Sequence, residues 1–548
     1  MKTWFQNQLA LPVLAAGLAL ILPGQLTGQT FTTIHSFSST SDGANPGASL
    51  ILSGNTLYGT ASQGGSFGYG TVFKVNADGT GYTTLYSFTD GNDGGNPSAS
   101  LILSGNTLYG TAASGGSSAN VAGTVFKVTT NGTGFTTLYS FTGGSDGASP
   151  YAALVLSGNT LYGTTVGPNY ETGLGGGTVF KVTTNGTGFA TLHTFIGTPM
   201  YPETNTDGQS PLSLLLSGNT LYGTTSGGGM QFGTVFAVNT NGAGFKSLYV
   251  FTGSNEGNAP LGGLILSGNT LYGTSAGNDD LGLGYSAGDL NTNGSVFTLN
   301  TNGTDFTVVH SFTATSGSSF TNSDGANPSA GLILSDDTLY GTTPSGGGSG
   351  NGTVFAVKTN GTGFTTLYSF TATNDNGWIV VGAMVGPNVP YAGLVLSGRT
   401  LYGAAGYGGI WSNGTIFALS TNGTGFATLH DFAGQSLNSD GANPSARLIL
   451  SGSTLYGTAR QGGISGGGTV FAVNTNGTAF ATLYAFTNGS DGANPFAGLI
   501  LSGNTLYGTA ASGGGSSAGG TVFAVNTNGK GFTTLHGFAV ATYMYGHK

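Results

Sequence analysis

Five histidines, His35, His193, His310, His430 and His536, stand at one recurring position in a chain of 548 residues. Histidine is the natural side chain for acid–base chemistry near neutral pH and for holding a metal. The same position carries Tyr86, Tyr139, Tyr249, Tyr368 and Tyr484 elsewhere in the chain. A site that exchanges histidine for tyrosine reads as a half-buried ring with a polar tip. Metal ligands spaced one repeat apart do not converge on a single ion, so a structural role is expected. The sixth histidine, His547, lies near the C-terminus.

The carboxylates read similarly. An Asp-Gly pair recurs at Asp42, Asp146, Asp207, Asp324, Asp440 and Asp491. Calcium takes six to eight oxygens, and each pair offers one carboxylate, so these are expected to be turns. The stretch Ser275–Gly294 adds Asp279, Asp280 and Asp289 and is the one calcium candidate; no other cofactor is expected. Glutamate occurs only at Glu171, Glu203 and Glu256. Glycoside cleavage needs two carboxyls at a set separation, and Glu171 with Glu203, on loops flanking the third repeat, is the pair that keeps a carbohydrate-active hydrolase or lyase as the alternative reading. No catalytic residue is assigned. The absence of cysteine excludes thiol catalysis and disulfides. Glycine-rich stretches such as "GGSFGYG" lack the helix start and lysine of a phosphate cradle.

The elements that must carry these residues are repeats. Leu-Tyr-Gly places tyrosines at Tyr58, Tyr109, Tyr162, Tyr222, Tyr272, Tyr340, Tyr402, Tyr456 and Tyr507, spaced 50 to 68 residues apart. That period is in the range of propeller blades. Around Tyr109, "LILS" (101–104), "TLYGT" (107–111), "GTVFKV" (123–128) and "FTTLYSF" (135–141) read as four antiparallel strands. Gly105-Asn106 and the Asn-Gly of "TTNGTG" supply the turns. Period-two alternation puts Phe135, Thr137, Tyr139 and Phe141 on one face and Thr136, Leu138 and Ser140 on the other. Both faces carry bulk, as in a sheet packed between neighbours. The fold class expected is all-β, a propeller of nine four-stranded repeats, with an open or solenoidal stack or two rings as alternatives. One feature fits poorly: "FTTIHSF" (31–37) is a tenth copy of the fourth strand, although the ninth repeat has its own at 532–538.

Length varies only in the connections between strands two and three and in the links from strand four to the next repeat. In an up-and-down blade these share one end, so that end is where recognition is expected. Repeat seven stands out there. Trp378 lies in the link into it, and Tyr407 and Trp411 in its two–three loop. Aromatic rings beside Asn and Asp suit stacking on a sugar; the other reading is that they cover the hub.

The unit "GTVFAVNTNGTAFATLYAFTNGSDGANPFAGLI" (468–500) resembles the Gloeo/Verruco (GloVer) tandem repeat, and the likeness runs from Phe31 to Phe538. The resemblance implies exported bacterial proteins of propeller-like build, often with a C-terminal surface anchor, and no established reaction. The tail 539–548, "AVATYMYGHK", departs from that anchor pattern. Residues 1–28, with the apolar run Leu9–Leu22, read as a signal peptide, leaving 29–538 as the propeller, secreted or held at the cell surface or in the periplasm. No later stretch is long enough for a membrane span. With 11 Lys and Arg and a net charge of −9, no nucleic-acid partner is expected. The expectation is an exported, non-enzymatic scaffold or binding module that contacts a glycan or surface protein.

Overall fold

The computed structural model describes Ala44, Pro46, Ala48 and residues 50–539, apart from 78–79, 119–121, 168–175, 198–204, 229–231, 278–292, 317–319, 372–376, 379–392, 409, 412, 434–438, 445 and 515–517. No helix occurs among them. Nine four-stranded antiparallel sheets follow one another, each a meander of strands one to four in chain order. In blade two these are Ile102–Ser104, Thr107–Ala112, Thr124–Thr129 and Thr136–Ser140, within a residue of the expected bounds.

The Leu-Tyr-Gly signature has a steric cause. Gly110 of strand two pairs with Phe126 of strand three. A Cβ on Gly110 would lie 2.7 Å from the Phe126 ring and 2.8 Å from Leu101. The glycine is a flat bed for a fully buried phenylalanine, and every blade repeats the pair, from Gly59 with Phe73 to Gly508 with Phe523.

Strand four departs from simple alternation. Val125 pairs with Tyr139 but Phe126 pairs with Thr137, so Leu138 is an extra residue in a bulge. The bulge turns the strand. Phe135 therefore packs toward blade one, whereas Leu138, Tyr139 and Phe141 pack toward blade three. The expectation that Phe135, Tyr139 and Phe141 share a face is corrected by this one inserted position. The three–four turn differs too: Gly132 and Gly134 take the positive φ angles, and Asn131 instead accepts from the Thr133 amide at 3.0 Å.

Hydrophobic clusters fill the seams between blades, and there are nine of them for nine blades. The last joins Leu57, Phe73 and Val75 of blade one to Tyr507, Val522, Ala524 and Leu535 of blade nine. At the loop end, Gly520 approaches Pro46, the same meeting as Gly123 with Pro150 within the series. Residues 44–539 thus close into a single nine-bladed ring, which excludes the open stack and the two-ring alternative.

Candidate functional site

Each blade exposes two kinds of end. Strand one to two and three to four are joined by short turns of constant form. At the other end, the link into a blade pairs with that blade's own two–three loop, as in Gly95 with Ser114 and Ala442 with Gln461. This confirms that the two variable connections share one end.

Among the described residues, recurring tyrosines, histidines and aspartates meet at that end in a latch at six of the seams. Tyr139 donates its hydroxyl to Asp146 Oδ2 at 2.9 Å, and the amide of Thr142 donates to the same oxygen at 2.8 Å. The Thr142 hydroxyl donates to Oδ1. The Tyr139 ring stacks on Phe189 of the next blade, centroids 3.3 Å apart. Tyr86 with Asp93 and Tyr484 with Asp491 repeat the pattern. Histidine enters the same frame: His193, His310 and His430 hold Asp207, Asp324 and Asp440 at 2.9–3.0 Å through Nε2. Their rings stack on Phe245, Phe364 and Phe480. The aspartate expected as a turn residue is thus also the acceptor that fastens strand four. In blade four Glu256 takes its part, accepting from the Thr252 amide at 2.7 Å.

These contacts set the electrostatics. Burial, and then the bond to Asp146, push the Tyr139 hydroxyl well above its ordinary pKa. Burial, and then the charge of Glu256, raise Tyr249 to about 12. Burial alone would raise Asp324, but hydrogen bonds from His310 and Thr313 outweigh it and hold the carboxyl below its ordinary value. Asp440 is lowered in the same way by His430 and the Ala433 amide. Such pairs resemble catalytic dyads in composition, yet each is closed by its own seam and stacked under a phenylalanine.

The structure brings two of the aromatic candidates together. Trp378 and Tyr407 are directly opposed in a two-stranded ribbon, Gly377–Trp378 with Tyr407–Gly408, that extends the usual link-to-loop pairing of blade seven. Trp411, four residues on, is 55% exposed. The Ile410 amide beside it donates to Asp431 Oδ2 at 2.8 Å, the bond that serine makes in blade two, where Ser117 donates to Ser140. All six exposed large apolar side chains among the described residues lie at the loop end: Phe67, Ile196, Phe320, Ile410, Trp411 and Ile464. Apart from Trp411, single-residue reading missed them. The signal was there: Ile410 and Ile464 directly follow a Gly-Gly pair in a two–three loop, and Phe67 stands one residue beyond such a pair.

Among the described residues no three His, Asp or Glu side chains are grouped to hold a metal. His35, His547, Asp42, Asp279, Asp280, Asp289, Glu171 and Glu203 lie outside the described residues.

Comparison with solved structures finds weak likeness only. A computationally designed protein, Ika8, has a TM-score of 0.41 at 16% identity, over 82% of this chain and all of its own. A Mycobacterium tuberculosis puromycin-hydrolyzing peptidase scores 0.36 at 12% identity, over 71% of this chain and 54% of its own. A nidogen/laminin complex chain scores 0.28 at 14% identity, over 58% and 92%. No curated protein matches the sequence. The family comparison is of another order: residues 21–215, 200–375 and 382–546 each match one repeat pattern, and the chain belongs to the Gloeobacter/Verrucomicrobia repeat family.

Proposed function

We propose that the protein is an exported, non-enzymatic scaffold that binds a glycan through the loop end of blade seven, with Trp378, Tyr407 and Trp411 as the platform. The observation that carries this is the opposition of Trp378 to Tyr407 in a ribbon beside an exposed Trp411. A rigid ring presenting aromatic groups on variable loops has the form of a recognition surface. Rings stack on the apolar face of a sugar, while neighbouring backbone groups meet its hydroxyls. Export rests on the apolar leader at residues 9–22. The alternative, a carbohydrate-active hydrolase or lyase, rests on Glu171 and Glu203, which lie outside the described residues.

The test is a double variant, Trp378→Ala with Trp411→Ala, screened beside the parent against a glycan array. The expected result is binding by the parent, loss in the variant and an unchanged melting temperature. Glycan binding that survives the double change, or a large fall in melting temperature, would overturn the assignment.

A further inference from the structure

We propose that the seam between blades nine and one holds a second binding site, a cavity of about 300 Å³ that takes one neutral sugar ring. The cavity opens at the end of the short turns, between Asn55 in the one–two turn of blade one and Gly531 in the three–four turn of blade nine. That is the opposite end of the ring from the blade-seven aromatic residues, and the site does not depend on them.

The cavity has a cause in the sequence. The residue that opens each three–four turn donates its amide to the one–two turn of its own blade, as Thr130 does to Asn106 and Ala77 to Asn55. Blades two to nine have threonine at this place, from Thr130 to Thr527, and blade one alone has alanine, Ala77. The opposite wall belongs to the blade behind, and there a lysine crosses several seams. Lys127 Nζ donates to the Thr184 carbonyl at 3.1 Å, and Lys181 Nζ to that of Thr240 at 3.2 Å. Lys246 of strand four reaches Asn302 in the same way. In blade nine those places hold Ala524 and Thr533. The other blades with short side chains there face a threonine across the seam. Only the step from blade nine to blade one combines short side chains with Ala77.

The groups that line the cavity are neutral and only partly used. Thr505 donates to Asn526 Oδ1 at 3.1 Å and Thr533 to the Gly531 carbonyl at 3.3 Å, which leaves both hydroxyl oxygens as acceptors. In blades one, five and eight the asparagine equivalent to Asn526 gives its Nδ2 to a turn threonine, as Asn474 does to Thr478 at 3.2 Å. Lys530 stands at that threonine's place in blade nine. Among the described residues Asn526 Nδ2 therefore has no partner, and it remains a donor for a ligand. Asn55 adds a second carboxamide, while Tyr507 and Leu535 supply apolar surface. No charged side chain lines the cavity among the described residues, so nothing offsets the desolvation of an ion. Hydroxyls that both give and accept, on a ring with an apolar face, match this lining. The volume is at the lower limit for ligand pockets, about 300–1,000 Å³, which suits one ring rather than a chain of them.

Saturation-transfer NMR on the full chain, with D-glucose, D-galactose, D-mannose and N-acetyl-D-glucosamine as probes, tests the site, followed by titration of the strongest binder. The expected result is binding of at least one sugar with a Kd in the millimolar range. Two variants borrow residues from other blades and are expected to keep the parent's melting temperature. Ala77→Thr refills the seam and should weaken binding by about tenfold or more. Asn526→Thr, the residue that blades two and three carry as Thr129 and Thr183, should weaken it by about fivefold, as for one lost hydrogen bond. Trp378→Ala with Trp411→Ala should leave it unchanged. Absence of binding by all four sugars would overturn the proposal, and so would binding that survives Ala77→Thr in the folded variant. Should Ala77→Thr lower the melting temperature, Asn526→Thr decides, and unchanged binding there counts against the site. Loss of binding in the double tryptophan variant would assign the sugar to blade seven and overturn the proposal as well.

Discussion

The seam after blade two and the seam after blade three are built from the same parts and differ in two of them. After blade two, Tyr139 reaches Asp146 seven residues on, and Thr142 satisfies both carboxylate oxygens. After blade three, histidine replaces tyrosine, the aspartate comes fourteen residues on, and isoleucine stands where Thr142 does. The geometry hardly changes: 2.9 Å becomes 3.0 Å, and both rings lie 3.3 Å from the next blade's phenylalanine. What changes is satisfaction. Asp207 accepts from His193 and from the Ile196 amide through Oδ2, and its buried Oδ1 has no hydrogen-bond partner among the described residues. The latch is thus a fixed pair of points between which the link lengthens freely. Loop closure entropy grows slowly with length, so insertions cost little while both points are kept. That is how a uniform ring carries a variable end.

The aspartate is the common element, so removing it has the largest expected effect. Asp146→Ala strips the acceptor from a phenol, an amide and a hydroxyl at once. Hydrogen bonds to charged groups contribute about 1.5–3 kcal/mol each and do not add fully, so a loss of roughly 3 kcal/mol is expected. Asp207→Ala is expected to cost about 1 kcal/mol less, because one of its oxygens already lacks a partner. Urea denaturation of both variants checks the order. Equal losses would break the comparison, since they would mean that the missing hydroxyl at blade three is of no consequence.

A smaller change sharpens the same point from the other side. Ile196→Thr offers Asp207 Oδ1 the hydroxyl that Thr142 gives Asp146. It also removes an apolar side chain that is 62% exposed. One restored hydrogen bond is expected to raise stability by about 1 kcal/mol. Ala433→Thr should act likewise at blade seven, where Asp440 Oδ1 is also buried without a partner among the described residues. Calorimetric melting temperatures measure both; no rise in either would show that Oδ1 is served in some other way.

Much of this was legible in the residues, and what was not has local causes. Strand positions and blade number follow from the Leu-Tyr-Gly period, because glycine under phenylalanine is a requirement every blade shares. The histidines were readable as tyrosine equivalents because exchange at one position reports the environment. The bulge at Leu138 was hidden, since alternation counts residues and a bulge inserts one without changing composition. The partnership of Tyr139 with Asp146 was hidden as well: Asp-Gly is a sufficient turn signal, and nothing local reports that the carboxylate also accepts from a ring seven residues back. Ring closure was the hardest to read, because it joins the most distant residues in the chain. At blade seven the sequence supplied the three aromatic residues, but only the pairing of Gly377–Trp378 with Tyr407–Gly408 sets two of them opposite each other.

The smallest expected effect comes from exchanging the rings themselves, and it depends on pH. His193→Tyr keeps the stack on Phe245 and the donor to Asp207, so at pH 7 its stability should lie within about 0.5 kcal/mol of the parent, as for a change that removes no buried contact. The two rings part company in alkali. A buried tyrosine latch works with the neutral phenol. Burial, the bond to the carboxylate and its charge all raise the Tyr139 hydroxyl above its ordinary value, and Tyr249 reaches about 12. A raised folded pKa gives stability that is complete below the unfolded value, near 10, and is lost as pH rises through the folded one. His193→Tyr adds one more such group to the ring. The variant should therefore match the parent from pH 7 to about 9 and unfold at lower pH than the parent on the alkaline side. On the acid side Asp324 and Asp440 act in the opposite sense: their lowered carboxyls contribute stability above about pH 4 that is lost as pH falls through their folded values. Melting temperature measured across pH for parent and variant tests the alkaline claim. Coincident curves above pH 10 would mean that the phenol at blade three stands in water, and that the two seams are not equivalent frames after all.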